Sequence, residues 1–428
     1  MASLPNDCIY EILTFLNSKQ YLLCANTDSN IYSLCKLGLL WKKVFPNKYH
    51  EIFKKETYYE SCRIYHRLNS LKKKLKALPD IEILYNLEKI DYAYKNAEEL
   101  PDEIGELINL RELNFYRNSI TKISTEIGKL VNLQKLILDN NKLTQLPQEI
   151  TQLINLEEFD IGDNQLITPF SEFRKLANLK KIGLYNSQLK ELPSEIFELT
   201  NLRCLCLFNN KLTKLPVSIR QLTELQSLLI SSNNLRELPS EFGKLQKLTY
   251  LELENNHLVE IPYEFRYLIN LKHLNLDGNK LKGFPIELGY LTNLQILGLG
   301  FNQPTNGWRR KNNNDYNDNN DNDISFDCNV SNIGNLLKLK ELRLNSNGIK
   351  ELPQEITKLT NLRTLSAYHN PLQNIPLGIK HLLIMQCNDE DRECECFHNH
   401  IDNQNENSLA DYAGSFVEEL EEYVFVDN

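Results

Sequence analysis

The sequence of 428 residues predicts an α/β solenoid preceded by a small all-α module. Three observations carry this. Leucine recurs every 23 residues, at Leu87, Leu110, Leu133, Leu156, Leu179, Leu202, Leu225, Leu248, Leu271 and Leu294, and again at Leu339 and Leu362. Asparagine holds the ninth place of nearly every unit, at Asn118, Asn141, Asn164, Asn210, Asn233, Asn256, Asn279, Asn302, Asn347 and Asn370. The first 46 residues lie outside this frame and show a helical stripe instead. A period of this length marks an architecture that grows by stacking units rather than by enlarging one core.

One unit reads Leu133-x-x-Leu136-x-Leu138-x-x-Asn141-x-Leu143-x-x-Leu146-Pro147-x-x-Ile150-x-x-Leu153-x-Asn155. Leu136-x-Leu138 alternates apolar and polar positions, as a strand with one buried face does. The asparagine amide both donates and accepts, so it satisfies backbone groups where the chain turns inward. Stacked units would place these amides in a ladder. Leu-Pro sets a bend, because proline fixes φ and donates no hydrogen bond. Ile-x-x-Leu is then a short helical return on the outer face. One unit cannot bury its leucines alone. Stacking buries seven apolar side chains per unit, at about 1.5–3 kcal/mol each before chain entropy is subtracted.

This pattern resembles the leucine-rich repeat, in its 23-residue Leu-Pro class found in intracellular plant and animal proteins related to Ras signalling, over roughly residues 65–385. The resemblance implies a horseshoe with parallel strands lining a concave side that binds other proteins. Twelve repeats are expected over residues 87–385. Departures from the pattern are informative. The first full unit has Tyr92 in a leucine slot and Lys95 in place of asparagine, and only Leu75-x-x-Leu78-Pro79 remains of the unit before it. Such atypical terminal units cap a solenoid. Ser187 replaces one ladder asparagine, and Ile167-Thr168-Pro169-Phe170 shifts one proline by a place. After Asn302 the unit breaks: the apolar residue due at position 311 is Ile333, an insertion of 22 residues at about 303–324. Its run of Asn and Asp predicts a disordered loop. It lacks the turn glycine and closing glutamate of a calcium loop.

The first segment reads Leu4-Pro5-Asn6-Asp7-Cys8-Ile9-Tyr10-Glu11-Ile12-Leu13-Thr14-Phe15-Leu16. Pro5 suits a helix start, and Ile9, Ile12, Leu13 and Leu16 fall on one stripe. Two further helical stretches follow, ending in Leu40-Trp41. Three short amphipathic helices cannot make a large core, so they read as a docking module. The Leu4-Pro5 opening, the Ile12-Leu13-x-x-Leu16 stripe and the Leu40-Trp41 closure resemble the F-box, over residues 3–46. The middle departs from that family, with Asn26-Thr27-Asp28 where an apolar-Ser stretch is usual and Ile31 where an aromatic is usual. The resemblance implies a Skp-type adaptor and cullin as partners. Leu4, Pro5, Ile9, Ile12, Leu13, Leu16 and Trp41 would form the apolar contact, since buried aliphatic and aromatic anchors dominate such interfaces. The repeats would then present a substrate protein to a ubiquitin ligase. The alternative reading is a non-enzymatic repeat scaffold of the Ras-linked type, with residues 1–46 only a cap.

Residues 47–86 repeat apolar positions at helical spacing and read as a helical linker and cap. On the strand face the variable positions supply Tyr116, Tyr185, Phe208, Tyr250, Phe301 and Tyr368, with Cys206 and Leu229 beside Phe208. These are the candidate partner-binding residues, and Cys206, Phe208 and Leu229 suggest an apolar patch. Acids cluster at Glu157, Glu158, Asp160 and Asp163, and again at Glu252 and Glu254, which suits a basic ligand.

The tail, residues 386–428, is acidic and reads as flexible or capping. Its Cys394-x-Cys396-x-His398-x-His400 offers soft ligands, but one extended segment wraps a tetrahedral ion poorly, so no metal is assigned. Residues 1–86 carry 13 Lys/Arg against 8 Asp/Glu, and the remainder 35 against 49. The net charge of -9 and the absence of a long apolar run exclude nucleic-acid and membrane partners from the reading. Ten scattered cysteines and no signal peptide point to an intracellular protein, cytoplasmic or else nuclear. No phosphate loop, metalloprotease helix or nucleophile elbow is present, so neither enzyme activity nor a cofactor is expected.

Overall fold

The computed structural model describes residues 47–55, 58–166, 173–302, 326, 331–379 and 383–384. The expected docking module, the insertion, the shifted proline at 169 and the Cys/His-rich tail lie outside these residues. The described residues divide into two compact units, one up to residue 137 with 142–156, the other 138–141 with 157 onward.

In the first unit, helices α1 (Asn47–Phe53), α2 (Tyr58–Lys74) and α3 (Ile81–Leu84) precede the repeats. Leu68, Leu71 and Leu75 of α2 and its C-terminal end are buried, and Phe53 meets Tyr85 edge-on at 4.8 Å. The polar face of α2 is also committed. Arg67 Nε lies 2.6 Å from Glu106, Ser70 donates to Glu103 at 2.7 Å, and Lys74 lies 3.0 Å from Glu103. Lys72, from the Lys72–Lys74 run, pairs with Asp80 at 2.9 Å. Residues 47–85 thus close the start of the first repeats with both apolar and charged contacts. Strands β1 (Lys89–Asp91), β3 (Glu112–Asn114) and β5 (Lys135–Ile137) pair in parallel with Lys89 opposite Glu112 and Glu112 opposite Lys135. β2 (Glu99–Leu100) and β4 (Lys122–Ile123) pair in parallel as a separate two-stranded sheet.

The second unit carries β6 (Glu158–Asp160), β7 (Lys181–Gly183), β8 (Cys204–Cys206), β9 (Ser227–Leu229), β10 (Tyr250–Glu252), β11 (His273–Asn275), β12 (Ile296–Gly298), β13 (Glu341–Arg343), β14 (Thr364–Ser366) and β15 (Leu383–Ile384), parallel and in sequence order. β15 is a short extra strand beyond the twelve frames; Leu365 faces Leu383, only 18 residues on. Across the interruption, Ile296 of β12 faces Glu341 of β13, a spacing of 45 residues. That is one 23-residue unit plus the 22 inserted residues, so the ladder keeps its register through the insertion.

The asparagine ladder forms as the repeat requires. Asn233 donates to Leu207 O at 3.0 Å, Ile230 O at 3.1 Å and Ser231 O at 3.1 Å, and it accepts from Leu212 N at 3.0 Å. One amide therefore satisfies four backbone groups across two units. At the substituted position, Ser187 retains only the local bond, to Tyr185 O at 2.9 Å. The residue before each ladder asparagine turns left-handed, as at Asn209, Ser232 and Asn255, each with φ of 53°. The returns are 3₁₀ turns of five residues, such as Val217–Gln221, entered from Pro216 in extended geometry. They are too short for α-helical bonding to propagate. Ile219 and Leu222 of this return, with Leu225, Leu228, Ile230 and Leu235 of the next unit, are wholly buried. A second asparagine row, unassigned from sequence, supports the outer turns: Asn270 donates to Gln246 O and Asn293 to Ile269 O, each at 2.8 Å.

Candidate functional site

The first and third residues of each strand, and the residue two beyond, form three columns on the strand face. In the second unit the first column runs Lys181, Cys204, Ser227, Tyr250 and His273 over β7–β11. The second runs Asp160, Gly183, Cys206, Leu229 and Glu252 over β6–β10. The third includes Asp139, Gly162, Tyr185, Phe208, Glu254 and Asp277. Exact register fixes every neighbour, so the columns are a property of the repeat and their residues a property of this chain.

Over β7–β10 the expected apolar patch is a packed cluster of Tyr185, Cys206, Leu229 and Tyr250, with Cys204 and Phe208 against it. Tyr185 stacks on Phe208 with centroids 4.6 Å apart and planes 8° from parallel. The four cluster members are buried, so they shape the face from below; Phe208 is the half-buried ring a partner can reach. Tyr185 donates to Asp139 Oδ2 at 2.7 Å and lies 3.4 Å from Asp160 Oδ2. Burial, then the neighbouring Asp160 carboxyl, push the Asp139 carboxyl well above its ordinary value, against the tyrosine hydrogen bond that lowers it.

Over β10–β14 the face is charged. Tyr250 stacks on His273 at 4.2 Å, and Glu252 Oε1 accepts from Tyr250 at 2.9 Å and lies 2.7 Å from His273 Nε2. Burial pushes the Glu252 carboxyl up, but these hydrogen bonds and His273 outweigh it and leave it below its usual value. Burial, with Glu252 adding, holds Glu254 above its usual value. Asp277 accepts from Gly300 N at 2.6 Å and lies 3.2 Å from Arg343 Nε. Burial still pushes it up to about 7, against Arg343.

Of the remaining candidates, Tyr368 borders the Asp277–Arg343 pair, and Tyr116 and Phe301 stand outside the two clusters. Tyr116, in the first unit, is half-buried and meets Tyr94 edge-on at 5.2 Å. Phe301 stands at the left-handed turn, with φ of 55° and 40% exposure, rather than on the strand face. Tyr368 is half-buried, its ring centroid 6.3 Å from that of Phe301. The seven docking-module candidates, Leu4, Pro5, Ile9, Ile12, Leu13, Leu16 and Trp41, lie outside the described residues. Sequence reasoning passed over Asp139, His273, Asp277 and Arg343. All four fall on the columns, so aligning the variable positions across units is the signal that finds them. Among the described residues no three His, Cys, Asp or Glu side chains gather as metal ligands, and no helix is long and apolar enough to cross a membrane.

The family described as "Leucine rich repeat" matches residues 131–189, 177–235 and 246–303, and "Leucine Rich repeats (2 copies)" matches 108–148. No F-box match is found. No curated protein matches significantly. Among solved structures, the chain is similar to a leucine-rich repeat protein of Leptospira interrogans, with 32% identity over 70% of this chain and 89% of that one, at a TM-score of 0.52. It shares the fold of an internalin of Listeria monocytogenes, with 20% identity over 79% of this chain and 97% of that one, at a TM-score of 0.55. With the asparagine ladder and the in-register strands, the Leptospira match means that this chain belongs to the leucine-rich repeat family.

Proposed function

We propose that this chain is a non-enzymatic, intracellular receptor that holds a protein partner on its strand face. We further propose that residues 3–46 tie it to the Skp-type adaptor of a cullin–RING ubiquitin ligase, so that the bound partner is its substrate. The observation that carries the first part is the strand face itself. A row of in-register strands presents a reachable Phe208 ring over an aromatic and aliphatic floor, with the carboxylates of Glu252 and Glu254 two units further along the face. Aromatic anchors on a preorganised floor are how such faces gain affinity without ordering cost. The free thiols of Cys62, Cys204 and Cys206 agree with a reducing compartment.

The ligase reading rests on the Leu4-Pro5 to Leu40-Trp41 pattern. It gains support from residues 47–85, which already close the first repeats through α2. A cap therefore does not need residues 3–46, and an apolar stripe with no capping duty suits a partner. The test is recovery of purified adaptor and cullin by the intact chain and by a Leu13→Asp, Trp41→Ala double variant. The intact chain should retain both proteins, and the variant should lose at least tenfold. If the intact chain retains neither, the ligase reading fails and the scaffold reading takes its place. If deletion of residues 1–46 leaves adaptor binding intact, the assignment of the contact residues fails.

A further inference from the structure

Cys204 and Cys206 are the first and third residues of β8, so both side chains emerge on the strand face. Their sulfurs lie 3.9 Å apart. Cys204 is half-buried and gives access from solvent, while Cys206 is buried in the aromatic and aliphatic floor. Across the ladder, Cys204 faces Ser227 of β9. Ser227 is 1% exposed, and its hydroxyl is buried without a hydrogen-bond partner. A buried hydroxyl left unpaired keeps a donor for an anion brought within its reach.

We propose that Cys204 and Cys206 form a two-thiolate site for a soft monovalent d¹⁰ cation, copper(I). Two sulfur ligands select a thiophilic ion, and among the described residues no third ligand joins them to suit zinc, which takes four. Binding breaks two S–H bonds, forms two S–Cu bonds and releases two protons to solvent, with no change of oxidation state. The complex carries one negative charge. The Cys204 sulfur and burial push the Cys206 thiol well above its ordinary value, so the cation must displace a tightly held proton; Asp160 of β6 adds to this and Lys181 of β7, opposite Cys204, counters it. Tyr185 and Tyr250 also pack on the pair, and burial pushes the Tyr185 hydroxyl well above its ordinary value. The Ser227 hydroxyl then donates to the Cys204 thiolate. The site stands on these residues alone and is independent of the receptor reading.

The test uses the full chain with Cys387, Cys394 and Cys396 replaced by serine, so that tail thiols do not compete. Copper(I) is delivered from a competing chelator under anaerobic conditions, with bound metal measured after separation. Cys204→Ser and Cys206→Ala should each lower stoichiometry by one ion or weaken that ion at least 100-fold. Ser227→Ala should weaken it a few-fold. Affinity should rise with pH with the slope of two released protons. Unfolding curves of the Cys204→Ser chain, altered at a half-buried position, establish that the fold is kept. Unchanged stoichiometry and affinity in that variant overturn the proposal. So does a slope of one proton, which marks a single-thiol contact. Zinc(II) binding as tightly as copper(I) would also overturn it, because it requires ligands the proposal excludes.

Discussion

Asp139 and Asp277 occupy the same repeat position six units apart, and each reaches a partner two units further along the chain. Asp139 meets the hydroxyl of Tyr185, and Asp277 meets the guanidinium of Arg343. In both cases the intervening unit offers glycine. A Cβ on Gly162 would stand 2.6 Å from the Tyr185 ring, and one on Gly298 would stand 2.8 Å from Asp277 and 2.9 Å from Arg343. The backbone device is therefore shared, and only the bridging group differs. A neutral aromatic ring makes the β7–β10 region a packed apolar floor. A cation makes the β10–β14 region a partly compensated charge network. Glycine on a column, rather than the conspicuous leucines, thus decides where the strand face can build structure of its own.

The largest expected effect lies in the aromatic region. Tyr185 is 2% exposed and stacked on Phe208. Tyr185→Ala should destabilise the fold by about 3–5 kcal/mol, as other large aromatic truncations in cores do. Chemical denaturation measures this. A loss under about 1 kcal/mol would mean that the ring is a surface ornament and that the two regions do not differ in packing.

The charged region should reveal itself through pH. A carboxyl whose folded pKa exceeds its unfolded value holds its proton more tightly in the folded chain. For Asp277, that stability is complete below the ordinary carboxyl value of 3.8 and is lost as pH rises to about 7. Its share of the slope approaches about 1.4 kcal/mol per pH unit in that window. Glu252 acts oppositely: its depressed pKa contributes stability at neutral pH that is lost as pH falls below 4.5. Asp277→Asn should therefore flatten the decline of stability between pH 4 and 7, leaving the acid limb set by Glu252. Denaturation midpoints measured across that range check it, and an unchanged slope would remove Asp277 as its source.

Much of this frame was legible from the sequence. The leucine period set the strands, Asn233 and its equivalents set the ladder, and the displacement of Ile333 gave the insertion length that the β12–β13 register reproduces. The columns were legible less well, because a residue's role there depends on neighbours 23 and 46 positions away. Tyr185 reads as an exposed aromatic until Gly162 and Asp139 are set beside it. Phe301 reads as a strand-face residue until its left-handed φ puts it on the turn. The extra strand β15 breaks the period, so no repeat count could supply it.

The smallest effect tests the glycine device directly. Gly162→Ala places a methyl against the Tyr185 ring, which is held between Phe208 and its bond to Asp139 and has no free end to move. Overpacking of that kind costs about 1–3 kcal/mol, offset by under about 1 kcal/mol from the stiffer unfolded chain. Gly298→Ala meets only the ends of the Asn275, Asp277 and Arg343 side chains, which can rotate aside. Its net cost should fall below about 1 kcal/mol, with the Asp277–Arg343 pair loosened and the pH slope altered rather than the midpoint at neutral pH. Denaturation of the two variants side by side gives the answer. Equal costs would mean that the two bridges are equally rigid, and the contrast between a fixed aromatic floor and an adjustable charged one would not survive.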